Sequence, residues 1–123
     1  DDGQISYEFS TYVNPECRFD FRNTAIHGIS SDSVRSSPVF PELWCQHRDL
    51  ILSGVLVAHN ASFDLNVLRK TLQFYGLHES VVDYLCTMKM SKVFFPEIGK
   101  FNLPTLCDHF GIVLDHHNVQ SDT

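Results

Sequence analysis

The sequence predicts an α/β domain. Three observations carry that reading: a period-two alternation near the start, a short wholly apolar β-branched run at residues 55–58, and helical apolar stripes on either side of that run. Strands alternating with helices imply helices packed on a sheet. The chain has 123 residues and a mass of 14.1 kDa, the size of one domain. It shows no internal repeat and no linker. Hydrophobic residues make up 43% and charged residues 20%, which excludes disordered, collagen-like and low-complexity classes.

The elements follow in chain order. Ile5, Tyr7, Phe9 and Val13 alternate with Gln4, Ser6, Glu8 and Tyr12, the pattern of a half-buried strand, and Asn14-Pro15 ends it. Asp1-Asp2-Gly3 just before reads as a hairpin turn, because Asp-Gly supplies the positive φ of tight β-turns. Residues 18–41 read as irregular, with Ile26-His27-Gly28-Ile29 standing out among them. From Pro41 a helix is expected, with Leu43, Trp44, His47, Leu50 and Ile51 on one face and Ser53-Gly54 at its end. Trp44 is expected in the core. The run Val55-Leu56-Val57-Ala58 suits a strand covered on both faces. A second helix carries Phe63, Val67, Leu68, Thr71, Leu72 and Tyr75 on its apolar side and ends at Gly76. Residues 81–86 suit a short strand and 88–95 a helix stopped by Pro96. Asn102 caps a further helix with a buried stripe of Leu103, Leu106, Cys107 and Phe110, and Gly111 stands at C′. After Leu114 a polar loop enters a last helix.

Charge and cysteine content narrow the function. Nine basic against fifteen acidic residues give a formal charge of −6. A protein that grips a long duplex by neutralising phosphates carries the opposite sign. A nucleic-acid partner is therefore expected to be held locally, with metal ions supplying positive charge. Cys17, Cys45, Cys86 and Cys107 form no C-x-x-C pair, which argues against a zinc ribbon. They read as reduced, mostly buried thiols of a cytoplasmic protein, with a disulfide as the alternative. The longest apolar run falls far short of the roughly 20 residues of a membrane span, and no membrane partner is expected.

Two segments carry candidate chemistry. His59-Asn60-Ala61-Ser62-Phe63-Asp64 lies where a strand gives way to a helix, and ligands of open α/β sheets gather at the carboxyl ends of strands. Read alone, Asn60 or Ser62 is equally a helix cap and Asp64 a complement to the helix dipole. His117-Asn118-Val119-Gln120-Ser121-Asp122 opens the last helix, and read alone it is a pair of solvated polar residues. Together, two aspartates at two helix starts offer the oxygen donors that a hard cation prefers. Ions so held activate water and stabilise a leaving oxygen in phosphodiester cleavage. A histidine at position 117 suits a general base. Two aspartates are too few for two ions, so further ligands are required. His78, His109 and His116 read as surface or capping residues, and Lys89, Lys92 and Lys100 as a solvated face.

The order of His59-Asn60-x-x-Phe63-Asp64, Phe101-Asn102-Leu103-x-x-Leu106, Phe110-Gly111-Ile112 and His117-x-x-x-x-Asp122 resembles the DnaQ-like 3′–5′ exonucleases of the DEDDh group, including the epsilon proofreading subunit of bacterial DNA polymerase III. Ile26-His27-Gly28-Ile29 and the strand ending in Asn14-Pro15 match the same family, so the resemblance spans nearly the whole chain. It implies a ribonuclease H-like fold, a mixed sheet flanked by helices. It implies two Mg²⁺ or Mn²⁺ ions and stepwise release of 5′-monophosphates from the single-stranded 3′ end of DNA or RNA, in some members beside a DNA polymerase. By matching positions, Asp64 and Asp122 would bind metal and His117 would deprotonate the attacking water. His59, Asn60 and Phe63 would shape the pocket near the terminal nucleotide, and Ile26 and His27 would touch its sugar or base.

One departure matters. The family opens with a strand bearing Asp-x-Glu, and no Asp-x-Glu occurs in this chain. The resemblance thus implies a partial domain over residues 1–123, with its first strands before Asp1 and its last helix running past Asp122. As it stands, such a fragment is expected to bind metal poorly and not to turn over. The alternatives are a degenerate exonuclease-like module that binds nucleic acid or a polymerase without catalysis, and a zinc protein using scattered His and Cys residues.

Overall fold

The computed structural model describes residues 3–17, 29–78 and 82–113. Among these residues the helices, in order, are α1 (Ser31–Val34), α2 (Phe40–Ser53), α3 (Ala61–Phe74), α4 (Thr87–Phe94) and α5 (Leu103–Phe110). Between them lie strands β1 (Leu56–Ala58) and β2 (Tyr84–Cys86), with a 3₁₀ turn at Pro96–Ile98 after α4. The strands pair in parallel, Leu56 with Tyr84, Val57 with Leu85 and Ala58 with Cys86. The β1–α3–β2 crossover therefore matches the alternation expected of an α/β fold.

Local chemistry explains the boundaries. At the start of α2 the Glu42 carboxylate accepts the Val39 N–H at 3.3 Å, and Pro41 sits in the first turn, where it gives up no helical hydrogen bond. Helix α3 ends as expected at Gly76, whose φ of 62° is the left-handed conformation that lets Leu77 N–H reach back to Leu72 O at 2.9 Å. Helix α5 ends the same way at Gly111, with Ile112 N–H on Cys107 O at 2.8 Å. Asn102 occupies the N-cap of α5 but makes no side-chain cap bond. Residues 18–41 are not wholly irregular: α1 is built on Ser30, whose hydroxyl accepts the Ser33 N–H at 3.2 Å. Four residues with Val34 as their one apolar member are too short to show a helical period.

The expected strand over residues 4–13 is absent. That segment runs without a ladder, and one bridge, Asn14 to Val39, joins its end to the rest, with Asn14 N–H on Pro38 O at 2.9 Å. A strand exists through its neighbour's hydrogen bonds, and neither described strand lies beside it. Ile5 is 82% exposed, while Phe9 leans on His47 with ring centroids 4.3 Å apart. The expected turn at Asn14-Pro15 does form, because Asn14 Oδ1 accepts the Glu16 N–H at 3.0 Å. Glu16 in turn receives the Tyr75 hydroxyl at 3.0 Å. Asp1 and Asp2 of the expected hairpin lie outside the described residues.

The core is thin. Among the described residues, Val34, Trp44, Ala61, Leu72, Cys86, Leu106 and Cys107 are the buried hydrophobic members, so Trp44 lies where expected. Strand β1 is not covered on both faces: α3 contacts both strands, yet Val57 points away and stays 61% exposed. The apolar side of α3 is narrower than its spacing suggests, because Leu72 is buried while Phe63 and Val67 face solvent. Phe110 likewise leaves the expected buried stripe and is half exposed. All four cysteines are free; Cys86 and Cys107 are buried, but Cys17 and Cys45 are exposed, against the expectation of mostly buried thiols. Among the described residues no helix is long and apolar enough to cross a membrane.

Candidate functional site

Strands β1 and β2 end level, at Ala58 and Cys86, and helices α3 and α4 start from those ends. His59 and Asn60 occupy the short step from β1 into α3. Asn60 holds φ 61°, ψ 43°, a left-handed conformation that asparagine tolerates better than most residues with a Cβ. It stands at the N-cap but makes no side-chain cap bond; its Oδ1 takes the Ser62 hydroxyl at 3.4 Å instead. The helix-cap alternative for Asn60 is thus met in position and not in bonding.

A cleft of about 610 Å³ opens at this edge. His59 and Asp64 both line it, together with Thr87 at the start of α4. Its apolar wall is Met90, Phe94 and Phe95 from the α4 region and Leu106 and Phe110 from α5. Phe95 and Phe110 meet edge to face, 5.2 Å between centroids and 79° between planes. Exposed ring faces of this kind suit a planar base, since every base has a π-face. Asp64 lies in the first turn of α3 with its side chain exposed, and among the described residues it makes no hydrogen bond or ion pair. A carboxylate so placed fits one ligand position of a hard divalent cation. No group of three or more His, Cys, Asp or Glu side chains that could hold a metal occurs among the described residues.

Cys86, the last residue of β2, is buried. Burial pushes its pKa up, but the nearby backbone N–H groups of Lys89, Ala61, Asn60 and Met88 favour the thiolate and the net shift is downward. These donors belong to the starts of α3 and α4, whose first N–H groups have no partner within the helix. Beside Cys86, Thr87 Oγ1 donates to Ala58 O at 3.5 Å and lies 3.1 Å from His59 Nδ1.

Of the residues singled out from the sequence, the structure brings His59 and Asp64 to one cleft. Asn60 and Phe63 do not line it, and Phe63 is 64% exposed. Ile26, His27, His117 and Asp122 lie outside the described residues, as does His116. His78 and His109 are exposed, as expected of surface histidines. Lys89, Lys92 and Lys100 are exposed, as expected of a solvated face, and the amines of Lys89 and Lys92 also lie over the rings of Tyr84 and Phe101, each 5.9 Å from the centroid. Thr87, Phe94, Phe95 and Phe110 were not singled out as site residues. A signal existed for two of them: adjacent phenylalanines just before Pro96 cannot both face the same side of a helix.

A protein-family profile described as "Exonuclease" (RNase_T) matches residues 1–123. The chain belongs to the exonuclease family. This exonuclease chain is 31% identical over 123 residues to "DNA polymerase III PolC-type" of Clostridium perfringens, covering 98% of this chain and 8% of that protein. It is 27% identical over 117 residues to the protein of the same description from Streptococcus sanguinis, covering 95% and 8%. The chain thus spans about 8% of the length of these relatives. Among solved structures it matches "Exonuclease X in complex with 5' overhanging duplex DNA" with a TM-score of 0.73 and 28% identity, over 98% of this chain and 69% of that one. The match agrees with the ribonuclease H-like α/β class expected of the exonuclease family. Members of this family generally use divalent metal ions.

Proposed function

We propose that this exonuclease chain removes nucleotides one at a time from the 3′ end of single-stranded DNA or RNA, releasing 5′-monophosphates, as the proofreading part of a polymerase assembly of the DEDDh type. The observation that carries the reading is the convergence of His59 and Asp64 on one cleft with an aromatic wall, at the carboxyl end of β1. The relation to PolC-type polymerases supports the proofreading role, and the likeness to an exonuclease seen with DNA supports the substrate.

Asp64 and Asp122 would hold two Mg²⁺ or Mn²⁺ ions, with further carboxylates completing a ligand set for which these two are too few. Bound ions of this kind lower the pKa of water and stabilise the departing oxygen of a phosphodiester. His117 takes the proton of the attacking water. His59, with Asn60 and Phe63 at the cleft's approach, orients the terminal nucleotide, and Ile26 and His27 contact its sugar or base. The rings of Phe94, Phe95 and Phe110 accept a base without reading its identity.

The test uses the intact protein, a single strand labelled at its 3′-terminal nucleotide, and Mg²⁺. The label should leave first, as a 5′-monophosphate; release beginning at the 5′ end overturns the polarity. Asp64→Asn and Asp122→Asn should each lower turnover by about 10³-fold or more, since several kcal/mol of charge stabilisation go with the ions, while circular dichroism stays unchanged. Full activity in either variant removes its carboxylate from the metal set. His117→Ala should slow the chemical step by about 10²–10⁴-fold, and an unaltered single-turnover rate excludes it as the base.

A further inference from the structure

Thr87 stands where one hydroxyl meets two partners, from the adjacent residues Ala58 and His59 at the end of β1. Its Oγ1 lies 3.5 Å from Ala58 O and 3.1 Å from His59 Nδ1. A hydroxyl has one proton to give, and a carbonyl oxygen has none. Both contacts can be hydrogen bonds in one arrangement only: Thr87 donates to Ala58 O and accepts from His59 Nδ1–H. A neutral imidazole with its proton on Nδ1 carries a lone pair on Nε2. His59 is half-buried and lines the cleft, and its Nδ1 edge is engaged by Thr87. Nε2 is then the nitrogen left for whatever enters.

We infer that Thr87 is a positioning residue that fixes the Nδ1–H tautomer of His59, so that Nε2 meets the terminal nucleotide as a hydrogen-bond acceptor for a hydroxyl or amino group. The role of His59 toward a nucleotide rests on the proposed function; the tautomer does not. The placement of Thr87 follows from the fold. It is the first residue of α4, directly after Cys86, which pairs with Ala58 across the parallel ladder. The register that aligns the two strand ends therefore also sets the hydroxyl beside Ala58 O. A valine there keeps the shape and loses the hydroxyl, whereas a serine keeps the hydroxyl.

The experiment labels histidine with ¹⁵N in the intact protein and reads ring nitrogen shifts at a pH where the ring is neutral, assigning His59 by the signal lost in His59→Gln. The expected result is a protonated Nδ1 in the unmodified protein and in Thr87→Ser, and a shift toward protonated Nε2 in Thr87→Val. A protonated Nε2 in the unmodified protein, or no change in Thr87→Val, overturns the inference. In the nuclease assay Thr87→Val should lower kcat/KM by about tenfold, the value of one lost hydrogen bond, and Thr87→Ser should restore it. Equal losses in both variants, or none in either, overturn the positioning role. Absence of 3′-end release in the unmodified protein would defeat the proposed function while the nitrogen shifts still decide the tautomer.

Discussion

Residues 3–17 and the layer formed by β1, α3 and β2 differ in how they hold their conformation. The first segment has alternating side chains but no ladder, and it rests on α2 through Phe9 and His47. The second has short strands of three residues each, yet both pair in register and both feed helices with defined starts. Alternation states which face of a strand is apolar; it does not provide the neighbour whose backbone completes the hydrogen bonds. The short strands persist because they pair with each other in register and α3 packs on them. Pairing and packing, more than length or pattern, separate the two regions.

Three measurements break or sharpen this contrast. The largest effect belongs to the layer's core: Leu72→Ala, at a side chain 2% exposed, should cost about 2–5 kcal/mol in urea unfolding. A loss below 1 kcal/mol would show that α3 is not anchored there. Next comes Cys86→Ala, at a side chain 4% exposed, which should cost about 1–2 kcal/mol for the packing lost. This change also has a pH signature. The folded thiol titrates below its unfolded value, so its contribution grows as pH rises from the folded to the unfolded pKa and fades as pH falls back through the folded one. Stability of the unmodified protein should therefore climb over that alkaline window relative to Cys86→Ala, and parallel curves would show that folding does not hold the thiol below its unfolded pKa. The smallest effect is Ile5→Ala, within about 0.5 kcal/mol for a side chain 82% exposed. A cost of about 2 kcal/mol or more would mean that residues 4–13 are held as a buried strand.

Much of this architecture was legible in the sequence because it rests on local rules. Gly76 and Gly111 end α3 and α5 because a left-handed residue is needed there, and Asn14-Pro15 turns because a side-chain amide caps its own backbone. His59 and Asp64 were legible as a strand-to-helix motif, and the cleft brings them together. Other features depend on what lies across space. The exposure of Phe63, Val67 and Phe110 was not legible, since helical spacing gives the apolar stripe and not the width of the surface it meets. Nor was the part of Thr87, whose neighbours in the chain say nothing of a histidine 28 residues earlier. The short helix Ser31–Val34 escaped because a single turn has no period to read. His117 and Asp122, outside the described residues, stand on the motif and on the proposed chemistry.

The level ending of the two strands limits what changes in length the chain can absorb. Removing one residue from β2 would draw the start of α4 down by about 3.3 Å and turn every following strand side chain to the opposite face. The hydroxyl at position 87 would then leave the imidazole. The connection between Phe74 and Tyr84 carries no such constraint, because slack there alters neither strand's count. Natural variation in length should thus collect in that connection and be almost absent from the two three-residue strands.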